Sequence, residues 1–348
     1  MLESTFRAIV SGEQRGPLAA LARGVLGCVE WPYTAVVEQR NRRFDNDPLA
    51  VHQAGVPVIS VGNLTLGGTG KTPMVKWLAR ELADDGKRVV LISRGYRGAG
   101  GEQNDEAVEL AQSLPGIAHV QNPDRVAAAA TALAEHGAEV LLLDDAFQHR
   151  RIARDLDIVL LDATAPFGYG HVFPRGLLRE PAAGLRRADV VCLTRADLID
   201  ERSREAICQQ AHRLAPEALW CEATHAPAAL LSNRGEQQPL AVLAGKRVAA
   251  FCGIGNPDAF RATLAGTGCE IVAWRALSDH HHYTAEDRQT IAKLADAAKA
   301  ELVVCTHKDL VKVATEEIDG RPLFAIVIEM QFKAGEHALR QWVSKAGG

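Results

Sequence analysis

Ser60-Val61-Gly62-Asn63-Leu64-Thr65-Leu66-Gly67-Gly68-Thr69-Gly70-Lys71-Thr72 follows the apolar entry Val56-Pro57-Val58-Ile59 and precedes Pro73-Met74-Val75-Lys76-Trp77-Leu78. The succession reads as a strand, a glycine-rich turn and a helix start. Such a turn is a phosphate cradle. Glycines let backbone N–H groups converge on an anion, the helix N-terminus adds the positive end of its dipole, and Lys71 adds a mobile charge. The Thr72 hydroxyl stands where the Mg²⁺ that accompanies a nucleoside triphosphate is ligated. Only Gly70-Lys71-Thr72 matches the second half of G-x-x-x-x-G-K-[ST]; Thr65 replaces the first glycine. Gly67 and Gly68 release the loop from Cβ restrictions in its place.

The chain around this segment has 348 residues, enough for one large or two medium domains with a substantial core. A net charge of −4 argues against nucleic-acid binding through the overall field. Seven cysteines, odd in number and without a C-x-x-C pair, suit small buried hydrophobes in a reducing compartment, and the N-terminus lacks the pattern of a secretory signal. Within Pro17–Val37, Leu18, Leu21, Val25, Leu26 and Val29 recur at helical spacing, with Trp31, Tyr33 and then Arg40, Arg42 and Arg43 beyond. Arg23, Glu30 and Pro32 interrupt the run, so it does not span a membrane. By its own pattern this is an amphipathic helix that either packs on the domain core or lies in a membrane interface. The pattern alone favours the core.

Downstream, apolar strands alternate with helices. Helix Pro73–Asp84 ends at Gly86. Val89-Val90-Leu91-Ile92 leads into the basic loop Ser93-Arg94-Gly95-Tyr96, a helix starts at Asp105, and another covers Arg125–His136. Leu141-Leu142-Leu143 runs into Asp144-Asp145, Ile158–Leu161 into Asp162, and Asp189–Leu193 into Thr194-Arg195-Ala196-Asp197. This is the pattern of a mostly parallel sheet flanked by helices, an α/β fold of the P-loop NTPase type, whose ligands bind at the carboxyl ends of the strands. Lys71, Ser93-Arg94, Asp144-Asp145 and Asp162 are all expected at that edge. Around Trp220–Pro239 the rhythm lapses into short β-like pieces with a turn at Asn233-Arg234-Gly235, followed by a smaller α/β unit. The division is therefore 1–47, a core at 48–219, a hinge at 220–239 and a C-terminal domain at 240–348.

Asp144-Asp145 after an apolar strand is the usual layout of the acid that holds Mg²⁺ opposite a phosphate loop. Asp105 and Glu106 open a helix; they suit either a helix cap or a base that takes a proton from a substrate hydroxyl. Arg175, Arg179 and Glu180 lie on a loop bounded by proline and glycine, where guanidinium forks suit a phosphate, and Arg125 is a further candidate. Asp279-His280-His281-His282 has consecutive residues pointing different ways, which suits an Asp–His proton-transfer pair better than a metal cluster. Thr194-Arg195-Ala196-Asp197 and Thr306-His307-Lys308-Asp309 loosely echo the [NT]-K-x-D element that reads guanine, which keeps a partition- or metallochaperone-type switch ATPase or GTPase as the alternative.

Taken in order and spacing, Ser60–Pro73, Ser93-Arg94-Gly95-Tyr96, Asp105-Glu106, Asp144-Asp145 with Gln148-His149, Leu178-Arg179-Glu180-Pro181 and Asp279-His280-His281 resemble the lipid A tetraacyldisaccharide 4′-kinases of Gram-negative bacteria over nearly the whole chain. The resemblance implies transfer of the ATP γ-phosphoryl to the 4′-hydroxyl of a tetraacyldisaccharide 1-phosphate, giving lipid IVA. Thr65, Gly67, Gly68, Thr69, Gly70, Lys71 and Thr72 would hold the nucleotide, and Thr72, Asp144 and Asp145 the Mg²⁺. Asp105 would be the base, with His280 as its partner, brought together by closure about the hinge. Glu106, Arg125, Gln148, His149, Arg179 and Glu180 would meet the substrate and phosphate region. Residues 1–47 would lie on the cytoplasmic leaflet of the inner membrane, reversing the odds from pattern alone, and no obligate protein partner is implied. Leu66 occupies the place of the extra lysine of partition-type ATPases.

Overall fold

Apolar runs buried on both faces become parallel strands. A computed structural model describes residues 2–95, 105–278 and 281–348, without the side chains of 2–4, 105 and 106. Unit 1 comprises Met1–Gly95, Gly116–Thr224 and Gln331–Gly348; unit 2 comprises Tyr96–Pro115 and His225–Met330.

Unit 1 opens with helices α1 (Leu2–Ser11) and α2 (Pro17–Asn46). Strand β1 (Val58–Asn63), helix α3 (Lys71–Asp84) and strand β2 (Val89–Ser93) follow. After α4 (Asp105–Ser113), which belongs to unit 2, come β3 (Ala118–Gln121), α5 (Arg125–His136), β4 (Val140–Asp144), β5 (Leu156–Asp162), β6 (Val190–Thr194), α6 (Glu201–Leu214) and β7 (Leu219–Leu231). The order is β7-β6-β5-β1-β4-β2-β3, all parallel. β1 is buried throughout, with β4 on one side and β5 on the other. The strand order therefore turns at β1, and the crevice at its carboxyl end is the natural ligand position of such a sheet.

Two contacts fix that end. A Cβ on Gly62 would lie 2.5 Å from the Phe147 Cβ, so only glycine admits the turn after β4 against β1. Phe147 is itself fully buried, with the Arg187 guanidinium 4.4 Å above its ring. At the neighbouring edge, His119 Nε2 lies 2.8 Å from Ser93 Oγ, tying β3 to the end of β2. Burial pushes the His119 pKa down to about 4.

Helix α2 is turned inside out. Leu18, Leu21, Val25, Val29, Trp31 and Val36 are exposed, Leu18 by 81% and Trp31 by 77%, while Ala19 is its buried residue. Its inward contacts are polar: Glu30 accepts the Val172 N–H at 2.7 Å and pairs with His171 at 3.1 Å, and Asn41 donates to Glu180 at 2.8 Å. The apolar stripe that favoured core packing thus faces outward. Among the described residues no helix is long and apolar enough to cross a membrane.

The chain leaves unit 1 within β7 and re-enters it within β13 (Arg321–Ala334). Between them lie β8 (Gln237–Pro239), β9 (Arg247–Cys252), α7 (Pro257–Ala265), β10 (Glu270–Ala276), α8 (Ala285–Ala297), β11 (Leu302–Thr306), α9 (His307–Val313) and β12 (Glu317–Ile318). Unit 2 has the parallel order β10-β9-β11-β13. Its α4 packs on α9, where buried His307 donates from Nε2 to Gln112 Oε1 at 3.1 Å. The last helix, α10 (Glu336–Ala346), returns to unit 1.

Three sequence expectations change. The hinge at 220–239 is not a series of short pieces, because Leu219–Leu231 is one 13-residue strand; the turn at Asn233-Arg234-Gly235 is present, closed by Gly235 N–H to Ser232 O at 3.0 Å. The division at 240 differs as well. Residues 331–348 return to unit 1, where Trp77 meets Phe332 edge-on at 4.8 Å and Arg340 pairs with Glu81. Helix α4 joins unit 2 through its packing on α9, ahead of the expected C-terminal domain, while position 280 lies outside the described residues.

Gly62→Ala is expected to lower unfolding stability by about 1–3 kcal/mol through overpacking against Phe147, read as a lower urea midpoint at unchanged slope. His119 carries a second expectation. Its pKa is lowered in the fold relative to the unfolded chain, so it stabilises above about pH 6.5, and that contribution is lost as pH falls toward 4. Discounted for partial exposure, the difference in unfolding free energy between pH 7.5 and 5.5 should shrink by about 1 kcal/mol in His119→Gln. An unchanged difference would contradict a neutral buried imidazole.

Candidate active site

The loop after β1 is built to receive an anion. Gly67 (φ +104) and Gly70 (φ +86) take left-handed conformations, and Gly70 caps α3, whose first two residues are Lys71 and Thr72. A Cβ on Gly68 would meet nothing within 4 Å, so space is open there. Thr69 O accepts from Thr194 Oγ1 at 2.8 Å, which pins the loop to the end of β6. The Thr69 hydroxyl is buried and has no partner among the described residues. An unsatisfied hydroxyl and uncovered amides at a helix N-terminus fit a triphosphate.

Asp145 organises the entrance. It follows the last residue of β4 in a left-handed conformation (φ +50). Its carboxylate accepts two bonds from Arg179 Nη1 at 2.8 and 3.0 Å and lies 3.4 Å from Lys71 Nζ. Burial alone would raise the Asp145 pKa; Lys71 and Arg179 outweigh it and hold the carboxyl below its ordinary value. Lys71 Nζ also lies 3.4 Å from Asn63 Oδ1, while Asn63 Nδ2 donates to Thr65 O at 2.6 Å. Arg179 reaches this position because its segment runs antiparallel to the loop: Leu66 N–H donates to Leu177 O and Arg179 N–H to Leu64 O, both at 2.7 Å.

Behind the loop, Gln148 Nε2 donates to Asn63 O at 2.9 Å and to Glu180 Oε1 at 3.0 Å. Glu180 is 1% exposed and also accepts from Arg187 Nη2 and Asn41 Nδ2, each at 2.8 Å. Arg125 is equally buried, donating to Asn122 O at 2.8 Å and to Asp144 O at 3.4 Å. His149 Nε2 donates to Pro123 O at 3.1 Å; burial, then the charge of Arg125 and of other nearby arginines, pushes its pKa down to about 4, so the ring is neutral at pH 7. Gln148, Glu180 and Arg179 thus gather at the loop with Asp145, while Arg125 supports the strand end carrying Asp144. Asn63, Thr194, Asn41 and Arg187 are missing from the sequence-based set. Of these, Asn63 and Thr194 carried a signal, each as a polar residue ending a buried apolar strand.

In unit 2, Asp105, Glu106 and His280 lie outside the described residues as far as their side chains are concerned. His281 is described: its Nε2 pairs with Asp287 Oδ2 at 2.9 Å, and Asp287 also binds Arg275 at 3.2 Å. The neighbouring Tyr283 donates to Asp309 Oδ1 at 2.9 Å. Asp309 is fully buried and also receives Gly253 N–H at 3.0 Å and Thr306 Oγ1 at 2.6 Å. It is therefore engaged inside the fold and does not face a guanine base. Arg195, in the other echo of that element, is paired with Asp162. Among the described residues no group of three His, Cys, Asp or Glu side chains could hold a metal. Mg²⁺ bound mainly by phosphate oxygens needs only one or two protein oxygens, so Thr72 with an adjacent carboxylate suffices.

Known proteins resemble this chain along its length. The profile of the family described as LpxK, tetraacyldisaccharide-1-P 4′-kinase, matches residues 22–347. A tetraacyldisaccharide 4′-kinase of Anaeromyxobacter sp. (strain K) is 42% identical over 330 residues, 89% of this chain and 86% of that one. The protein of that name from Geobacter sulfurreducens is 40% identical over 345 residues, 94% of each chain. Among solved structures, LpxK from Aquifex aeolicus in complex with ATP superposes with a TM-score of 0.75 at 28% identity, covering 94% of this chain and all of that one. The fold is that of a P-loop NTPase-like α/β kinase, and the chain belongs to the tetraacyldisaccharide-1-P 4′-kinase family.

Proposed function

We propose that this chain moves the γ-phosphoryl of ATP to the 4′-hydroxyl of a tetraacyldisaccharide 1-phosphate, completing lipid IVA at the cytoplasmic face of the inner membrane. The single observation carrying this reading is the cradle between Gly67 and Thr72, with Lys71 held beside the Asp145–Arg179 pair. Phosphoryl transfer depends on positioning and charge neutralisation more than on covalent chemistry, and this cradle supplies both.

Within it, loop amides and Lys71 bind the β- and γ-phosphates. Thr72 and Asp144 would hold Mg²⁺, whose charge would offset that of the phosphate oxygens. Asp145, occupied by Lys71 and Arg179, keeps those two cations in register and would serve as a further metal ligand only on releasing them. Asp105 takes the proton of the 4′-hydroxyl. His280 is its partner; the capture of His281 by Asp287 supports that choice over the next histidine. Glu106, with Arg125, Gln148, His149, Arg179 and Glu180, shapes the acceptor side. The outward stripe of α2 supports a peripheral position on the bilayer, its apolar side chains in the interface and Arg40, Arg42 and Arg43 near anionic headgroups. A switch NTPase has less support: Asp309 of the second guanine-reading echo is buried and bonded within the fold, and in the first echo an arginine, paired with Asp162, replaces the lysine.

Asp105→Ala should lower kcat by at least 100-fold while the Kd for MgATP changes less than threefold; collapse of nucleotide binding with turnover retained would instead make Asp105 a metal ligand. Replacing both Leu21 and Val25 with glutamate should release the enzyme from anionic vesicles at unchanged melting temperature, because both side chains are already exposed. Incubation with ATP and the lipid disaccharide 1-phosphate tests the whole reading: labelled lipid supports it, and inorganic phosphate alone refutes it.

A further inference from the structure

Helix α1 ends up against the phosphate loop. An ideal Cβ on Gly67 would lie 3.2 Å from Arg7 Nη2, so this guanidinium already touches the first half of the cradle. Gly67 immediately precedes the opening at Gly68, four residues before Lys71. That first half has no cation of its own. Thr65 and Leu66 stand there, and Leu66 is an apolar side chain 37% exposed at the mouth. Arg179 reaches Thr65 O through Nε at 3.2 Å but is held by Asp145, so Arg7 adds a second guanidinium to this half of the loop, beside Gly67.

The helix carrying Arg7 is tied down from several directions. Phe6 packs on Phe173 with ring centroids 6.4 Å apart, and Arg175 Nη1 donates to Val10 O at 3.3 Å. Arg23 of α2 donates from one nitrogen to Ile9 O at 3.1 Å and to Gln14 O at 3.0 Å. These bonds fasten both the helix and the turn after it, so Arg7 is delivered to Gly67 by a braced element. The family profile begins at residue 22, beyond α1, so the match does not extend to this arginine.

We propose that Arg7 is a catalytic residue, an arginine finger supplied by the same chain that contacts the γ-phosphoryl during transfer. The inference rests on the kinase reading above. In that reaction the bond between the γ-phosphorus and the ADP oxygen breaks, a bond to the acceptor oxygen forms, and the hydroxyl proton passes to Asp105. Arg7 forms no covalent bond. Its guanidinium offers forked donors to the equatorial oxygens as charge spreads over them, a contact stronger in the transition state than in the bound nucleotide.

The test uses the full-length enzyme with Arg7→Ala and Arg7→Lys, measuring kcat, the Kd for MgATP, and the Kd for MgADP with aluminium fluoride. Arg7→Ala is expected to lower kcat about 100-fold, change MgATP affinity less than threefold and weaken the aluminium fluoride complex more than tenfold. Free guanidinium at millimolar concentration should restore part of the lost rate to Arg7→Ala. Arg7→Lys, which keeps the charge and the stem, should fall between the two. A kcat within threefold of the parent overturns the proposal. So does a loss confined to MgATP affinity, or one that follows vesicle binding and that guanidinium does not rescue. The aluminium fluoride measurement needs no acceptor. If the parent phosphorylates no lipid yet tightens on MgADP with aluminium fluoride in an Arg7-dependent way, the finger stands and the choice of acceptor falls.

Discussion

The carboxylate of Asp145, gripped by Arg179 and facing Lys71, holds together three segments that are far apart in the chain. These are the start of α3, the exit of β4 and the strip at 177–180 that runs beside the loop. Two cations 34 and 74 residues away in sequence would repel each other at this distance without it. The pair also explains why Asp145 remains ionised despite burial. A site that must bind a polyanion needs its positive groups held ready before the anion arrives, and a shared carboxylate does this without fixing them permanently. Among the described residues Lys71 keeps only long contacts, at 3.4 Å each, so a phosphate oxygen can draw it away at little cost.

A second layer sustains the first. Gln148 bridges the end of β1 to Glu180, and Glu180 gathers Arg187 and Asn41. A carboxylate 1% exposed survives in a fold only when its lone pairs are filled, and here three side chains fill them. Arg187 in turn covers the ring of Phe147, whose Cβ meets the bare Cα of Gly62. Packing of the strand core and the polar frame of the loop are thus one continuous structure.

Much of this was legible in the sequence. Val58–Val61, Val89–Ile92, Leu141–Leu143 and Ile158–Leu161 are too uniformly apolar to be anything but strands buried on both faces, and their polar terminators fall at the ligand edge as a parallel sheet requires. The bond between Asn41 and Glu180 was not legible, because 139 residues separate the partners and neither has a distinctive neighbourhood. The orientation of α2 escaped for a different reason. A stripe at helical spacing states that one face is apolar, but not whether a core or a membrane lies against it; Glu30 and Asn41, on the polar side, decide that in the folded chain. The return of 331–348 to unit 1 involves Phe332 meeting Trp77, a pairing across 255 residues of sequence that no local pattern announces.

The inverted helix has a practical corollary. Deleting residues 1–47 to obtain a detergent-free enzyme would do more than strip away apolar surface. It would remove the amide of Asn41 from a buried carboxylate, the Arg40 contact from Gln148 O and the Glu30 cap from Val172 N–H. The truncated protein would be left with an under-solvated negative charge two hydrogen bonds from the nucleotide cradle. Loss of turnover in such a fragment would report damage to the chemistry as much as failure to reach the bilayer, and surface substitutions along the outer stripe are the cleaner way to separate the two.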